Sequence, residues 1–118
     1  MKTVMKQIEL TAKQEAKREK IEARVQKFNE ACIKLFKREL VEGDVIVSDS
    51  YTSKESGKKN RYYVDCLKCV EGTIELQTRG ADENNNPYSD DVLKTLPNHN
   101  LRDLFSKTQL TYFKFKLA

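Results

Sequence analysis

The feature that most constrains this chain is a run from residue 11 to residue 42 that contains neither proline nor glycine. Within it, apolar residues recur every three or four positions, which places them on one face of a helix. They are Ile21, Val25, Phe28, Cys32 and Leu35. Thr11 followed by Gln14 matches the capping box that begins helices, and Gly43 is a residue that commonly ends them. We therefore predict one long helix over residues 11–42.

The apolar face of this helix does not extend into its N-terminal part. Gln14, Lys17 and Arg18 occupy the positions where the apolar spacing should continue. We therefore expect residues 1–20 to project into solvent or to fray. A coiled coil is the alternative use of such an apolar face, but the spacing holds for only about two heptads where three or four are needed. We favour a helix packed on its own sheet.

Three strand-like segments follow the helix. Residues 44–52 and 61–70 flank a polar tip, and Glu71-Gly72 then forms a tight turn into a third strand over residues 73–79. Both flanking segments are rich in β-branched and aromatic residues, which suit a pleated and partly buried surface. These segments predict a meander of three antiparallel strands.

The remainder of the chain is predicted as a loop, a short helix and a final strand. Residues 80–89 form a polar loop, residues 89–96 a helix ended by proline, and residues 101–107 a further helical turn. Residues 109–117 alternate between polar and apolar side chains and are predicted as a strand. The fold class is therefore α+β, a long N-terminal helix packed on a four-stranded, mostly antiparallel sheet in the order α-β-β-β-α-β. At 118 residues, we expect residues 1–118 to form a single domain.

Alternation along the predicted strands assigns each side chain to one of two faces of the sheet. The face toward the helix is predicted to carry Val45, Val47, Tyr62, Val64, Cys66, Ile74, Leu76, Phe113, Phe115 and Leu117. The opposite, outer face is predicted to carry Arg61, Tyr63, Asp65, Glu75, Gln77, Arg79, Tyr112, Lys114 and Lys116. This second set combines two aromatic rings with four cations, and only two acids oppose them.

Few residues in the chain suit metal or thiol chemistry. Cys66 and Cys69 form the only C-x-x-C motif, and a zinc site would also need Cys32 and His99. Residues three apart in a strand point to opposite faces, so this motif cannot chelate one ion without a bend or bulge. We therefore expect structural cysteines and no bound metal. An odd count of three cysteines excludes a complete disulfide framework and favours a reducing compartment.

Calcium binding and catalysis are also poorly supported. Asp82, Asn84 and Asn86 match the opening of an EF-hand loop, but Pro87 and Leu93 stand where the loop needs glycine and glutamate. The single histidine lies in no serine or cysteine motif, and no glycine-rich phosphate loop is present. No apolar run approaches the roughly 20 residues that span a bilayer. We predict a non-enzymatic, cytoplasmic protein without a cofactor.

The segment from Tyr51 to Tyr63 carries the strongest functional signal, because it mixes cations with rings between two strands. Cations pair with phosphates and rings stack on bases, which is the chemistry of single-stranded nucleic-acid binding. We therefore predict contact with single-stranded or structured nucleic acid. The predicted contact residues are Lys54, Lys58, Lys59, Arg61, Tyr63, Arg79, Tyr112, Lys114 and Lys116.

The distribution of charge leaves a second function open. Residues 1–42 carry 11 Lys/Arg against 7 Asp/Glu, whereas residues 82–103 carry two against five. The helix cations are interleaved with glutamates, which is typical of a solvated helix face. The alternative is a protein-interaction module, such as an inhibitor or adaptor encoded by a phage or mobile element. It would use the long helix and the acidic loop as its contact surface.

Overall fold

The computed structural model describes residues 8, 10–52, 59–89 and 103–118, and for residues 49–52, 59 and 103 it describes the backbone alone. The described residues form three helices, namely α1 (Ala12–Glu15), α2 (Arg18–Phe36) and α3 (Lys107–Tyr112). They also form five strands, namely β1 (Val45–Thr52), β2 (Lys59–Val70), β3 (Thr73–Ala81), β4 (Asp103–Ser106) and β5 (Lys116–Leu117). The protein is therefore α+β, as predicted.

All five strands belong to one antiparallel sheet in the order β4-β3-β2-β1-β5. The predicted meander of β1, β2 and β3 is confirmed. Glu71 and Gly72 join β2 to β3 with φ of 50° and 82°, the left-handed pair that matches the twist of a two-residue hairpin. The sheet has five strands where four were predicted, because β4 and β5 pair with its two edges. The helix predicted over residues 89–96 lies outside the described residues.

The single long helix predicted over residues 11–42 is wrong at two points. The Thr11–Gln14 capping box begins a helix as predicted, but α1 is only one turn long. A turn at residues 16 and 17 separates it from α2. At the other end, α2 stops at Phe36. Lys37 there has a φ of 67°, and its N–H donates to the carbonyl oxygen of Ile33 at 2.8 Å. Such a left-handed residue is a common way to end a helix.

Packing explains why the chain leaves the helix before residue 42. Leu40 is fully buried in the core. Asp44 accepts two hydrogen bonds from the Arg38 guanidinium, at 2.8 and 2.9 Å, and a third from the Val41 N–H at 2.8 Å. These contacts reverse the chain into β1, and a helix that continued to residue 42 would lose them.

The described part of the N-terminal segment is mostly exposed, but it makes contacts with the rest of the fold. The Gln14 side-chain amide donates to the carbonyl oxygen of Cys69 at 2.9 Å. Ile8 and Leu10 are partly buried and pack against the core. Contacts at residues 8, 10 and 14 therefore connect this segment to the core and to β2, and the expectation that residues 1–20 project or fray stays a prediction.

The C-terminal segment also differs from its prediction. Residues 109–117 were predicted as a strand, but they contain most of α3, a turn and the short strand β5. Ser106 and Gln109 form a capping box in which each side chain accepts the other residue's N–H. This reciprocal bonding satisfies two donors of the helix start and outweighs the alternating pattern. The helical turn predicted over residues 101–107 is, in its described part, the strand β4 followed by Lys107, the first residue of α3.

The hydrophobic core lies between the sheet and its helices. The α2 residues Ile21, Val25, Phe28, Cys32 and Phe36 are buried there. Three rings meet beneath the sheet, with the Phe105 ring centroid 5.0 Å from both Tyr62 and Phe115. The predicted apolar face of the helix is thus confirmed in its central part.

An irregularity in β2 changes which of its side chains face the core. Val64 lies opposite Thr78, but Cys66 lies opposite Gln77, so Asp65 is an extra residue in the ladder. Such a bulge reverses the alternation beyond it. Leu67 is consequently buried in the core, and the prediction that Cys66 points toward the helix is wrong.

The face assignment of β1 is also wrong. Ile46 lies opposite the core residue Tyr62 and is fully buried with it. Val45 and Val47 lie opposite Tyr63 and Arg61, so they share the outer face, although only 7% and 6% of their surface is exposed. A continuous apolar run does not reveal which of its alternate residues face the core, because every residue of the run suits either face.

Candidate nucleic-acid interface

The outer face of the sheet brings two of the predicted cations into one row. Val47 lies opposite Arg61 on one side and opposite Lys116 on the other. Strands are separated by about 4.8 Å, so the Cα atoms of Arg61 and Lys116 are about 10 Å apart across β1. This row lies toward the end of the sheet at which residues 53–58 connect β1 to β2.

Tyr63 lies in the next row of the same face, between Val45 and Arg79. Its ring is half-buried, because its hydroxyl end packs beside Gly43. A Cβ atom on Gly43 would lie 3.4 Å from the Tyr63 hydroxyl oxygen. The exposed part of the ring is therefore held in place next to the cationic row.

The two arginines of this face are held by different partners. Arg79 forms an ion pair with Asp65, with Nη2–Oδ1 and Nε–Oδ2 distances of 3.2 and 3.3 Å, and the two side chains are 29% and 12% exposed. Arg61 Nη1 instead donates to the amide oxygen of Asn85 at 2.7 Å. An amide does not compensate the charge of a guanidinium, so Arg61 offers more positive charge to a ligand than Arg79 does.

Asn85 belongs to a turn formed by the residues that match the opening of an EF-hand loop. Asp82 Oδ1 accepts the N–H groups of Asn84 and Asn86 at 2.8 and 3.0 Å. Asn85 adopts a φ of 66°, which asparagine tolerates in turns. The Asp82 carboxylate therefore holds its own loop in shape, as expected of a polar connection.

Part of the predicted site lies in or next to the tip. Lys54 and Lys58 lie outside the described residues. Lys59 begins β2, where its backbone lies opposite Thr52. Only the backbone of Lys59 is described, so its predicted role in binding stays a prediction.

Tyr112 and Lys114 are not on the outer face, which corrects their predicted position. Tyr112 lies on α3, on the helix side of the sheet, and is 76% exposed. Lys114 lies in the turn between α3 and β5, with a φ of 52°. Among the predicted residues whose side chains the structure describes, Arg61, Tyr63, Arg79 and Lys116 therefore share the outer face, whereas Tyr112 lies on the helix side.

Tyr112 instead lines a groove between α2 and α3, which we call the helix groove. Its volume is about 710 Å³, and it is lined by Lys27, Glu30, Ala31, Lys34, Lys107, Thr108, Thr111 and Tyr112. A smaller cavity of about 230 Å³ shares Lys27, Lys107 and Thr108 and continues toward Arg24 and Gly72. The Arg24 guanidinium donates to the Gly72 carbonyl oxygen and so links α2 to the β2–β3 turn.

The sequence predictions did not identify this groove. The one available signal is the recurrence of Lys20, Lys27 and Lys34 at intervals of seven, which places them on one helix face. Lys107 and Tyr112 line the same groove as Lys27 and Lys34 only because residues 107–112 form a helix beside α2.

The cysteines do not assemble into a site. Cys32 is buried in the core, and burial raises the pKa of its thiol to about 12. Cys66 lies opposite Gln77 on the outer face, whereas Cys69 lies opposite Ile74 on the core face. The described part of the chain contains no group of three or more His, Cys, Asp or Glu residues that could hold a metal ion. His99 lies outside that part.

No protein-family model, curated protein or solved structure matches this chain. Within residues 8, 10–52, 59–89 and 103–118, no helix is long and apolar enough to cross a membrane.

Proposed function

We propose that this protein is a non-enzymatic binding protein that contacts single-stranded or structured nucleic acid through the outer face of its sheet. The observation that carries the proposal is the row in which Arg61 and Lys116 flank Val47, with Tyr63 in the adjacent row. Cations at this spacing can contact phosphates of one strand while the exposed part of the ring stacks on a base.

Each residue would have a distinct role in this contact. Arg61 and Lys116 would bind phosphates, and Lys54, Lys58 and Lys59 would add further phosphate contacts, as the sequence predicts. Arg79 would contribute less, because Asp65 already compensates its charge. The buried valines of β1 would give the contact a rigid base.

The alternative, a protein-interaction module acting through the long helix and the acidic loop, stays a prediction. Asn85, in the described part of that loop, contacts Arg61, so a protein that bound the loop would also approach the cationic row. The cytoplasmic location and the phage origin likewise stay predictions. Binding measurements distinguish the two functions.

The test is fluorescence anisotropy with labelled single-stranded DNA, single-stranded RNA and duplex oligonucleotides, at about 50 and 200 mM salt. We expect micromolar or tighter binding at low salt that weakens steeply at high salt. Each phosphate contact changes the slope of log K against log salt by about 0.7 for a single strand. Lys116→Gln should therefore reduce that slope by about 0.7.

The matched control is Lys13→Gln, which removes the same charge from an exposed position on α1. It should leave the salt slope unchanged, because Lys13 belongs to neither surface described above. No detectable binding of any oligonucleotide at low salt would eliminate the nucleic-acid proposal. Affinity capture with the purified protein as bait would then test the interaction module.

A further inference from the structure

The helix groove has the charge pattern of a track for a polyanion. Lys27 and Lys34 line it from α2, about 10.5 Å apart along the helix axis, and Lys107 lines it from α3. Within the described part of the chain, Glu30 is the one acid that lines it. Three cations against one acid favour an anionic occupant by simple charge complementarity.

An aromatic ring, that of Tyr112, also lines the groove. Tyr112 is 76% exposed, although it lies next to buried residues of α3 and the core. Its ring packs against Phe113 at a centroid distance of 5.2 Å and an interplanar angle of 81°. This contact limits the movement of the ring while leaving most of its surface in water.

The lining of the groove argues against an amphipathic peptide helix as the occupant. Apart from its charged residues and Tyr112, the groove is lined by Ala31, Thr108 and Thr111. Recognition of an amphipathic helix needs apolar pockets for side chains spaced three and four residues apart. Small and polar side chains offer no such pockets, but they allow an extended strand to approach closely.

We propose that the helix groove is a second binding surface for single-stranded nucleic acid. Lys27, Lys34 and Lys107 bind consecutive parts of the phosphate backbone, and Tyr112 stacks on one base. The inference rests on the proposed function and adds a contact on the other side of the sheet. A short strand cannot reach both surfaces, so the protein binds two short strands at once.

The stoichiometry of binding tests this arrangement directly. The probe is an oligothymidylate of about eight nucleotides, which is within the usual site size of a single binding surface. Titration calorimetry of the full chain should give two bound strands per protein. Tyr112→Ala should weaken the groove site roughly 5- to 150-fold, the range measured for loss of one stacked base. Tyr112→Phe should retain binding, because it keeps the ring.

Charge and stacking are separated by the salt dependence of each variant. Combining Lys27→Gln, Lys34→Gln and Lys107→Gln should reduce the slope of log K against log salt for the groove site by about 2, whereas Tyr112→Ala should leave it unchanged. All four side chains are exposed, so we expect the folded state to persist, and circular-dichroism melting of each variant checks this. Lys13→Gln again provides the matched control.

Three outcomes would overturn the inference in distinguishable ways. If the groove variants bind as the wild type does while Lys116→Gln weakens binding, the groove proposal is wrong and the outer-face function stands. If polyglutamate of equal charge displaces the strand and Tyr112→Ala has no effect, the groove is a surface for acidic protein segments. If the wild type binds no oligonucleotide, both proposals fail together.

Discussion

The two sides of the sheet place their charges and their rings differently. On the helix side, Tyr62, Phe105 and Phe115 are sealed beneath α2 and α3, and the cations stand outside them on the helices. On the outer side, cations emerge directly from the strands, and Asp65 and Arg79 form an ion pair there. Substitutions of the exposed helix residues can therefore alter the binding surface of the helix side without disturbing the core. On the outer side, the same strand residues contribute both to binding and to the stability of the sheet.

The largest effect is expected from the ring cluster of the helix side. Phe115→Ala should lower the free energy of unfolding by about 3–5 kcal/mol, because it leaves a cavity next to Tyr62 and Phe105. Urea denaturation followed by circular dichroism measures this. Phe113→Ala is the matched control, since Phe113 is only partly buried and should cost clearly less. Equal decreases in the free energy of unfolding for the two variants would contradict the assignment of Phe115 to the buried core and of Phe113 to its partly exposed edge.

A pH-dependent effect is expected from Cys32, which lies in the same core. Burial raises the pKa of its thiol from 9.0 to about 12, so the folded state keeps a proton that the unfolded chain loses above pH 9. Its contribution to stability is therefore fully present below pH 9 and falls by about 1.4 kcal/mol per pH unit above it. Denaturation of the wild type and Cys32→Ala at several pH values should show a shallower decline for the variant.

The smallest effect is expected from the ion pair of the outer side. Asp65→Asn should lower the free energy of unfolding by about 1 kcal/mol or less, because the pair is only partly buried. It should also release the charge of Arg79 and raise the salt slope of oligonucleotide binding by about 0.7. Asp44→Asn is the contrasting variant. It should cost more stability, because Asp44 also accepts the Val41 N–H. An unchanged salt slope for Asp65→Asn would indicate that strands do not approach this row.

The β2–β3 hairpin shows which parts of the fold could be predicted from sequence. Glu71-Gly72 is a strong local turn signal, and the register on both sides follows from it. The bulge at Asp65 could not be predicted, because it depends on how β2 must bend to pair with β3. The same limit applies to β1. Residues 45–47 are all apolar, so the sequence does not indicate which of them face the core.

The C-terminal segment shows two local signals in conflict. Residues 109–117 alternate as a strand would, yet Ser106 and Gln109 repeat the S/T-x-x-Q capping pattern that correctly marked Thr11 and Gln14. Giving that pattern equal weight would have predicted α3. The helix groove was harder to predict, since α2 and α3 are far apart in sequence and meet only through the core. For the outer face, alternation predicted the positions of Arg61, Tyr63 and Arg79 because β2 and β3 are regular around them.

The strand order also bears on how the chain folds while it is being synthesised. Residues 103–118 supply the strands at both edges of the sheet, β4 beside β3 and β5 beside β1. They also supply Phe105, Leu110 and Phe115 to the core. At a translation rate of about 5–20 residues per second, the β1–β3 meander leaves the ribosome seconds before these residues do. During that interval, the edges later covered by β4 and β5 are open to strands of neighbouring nascent chains on the same messenger RNA. The final segment therefore sets both the time of folding and the length of exposure to aggregation.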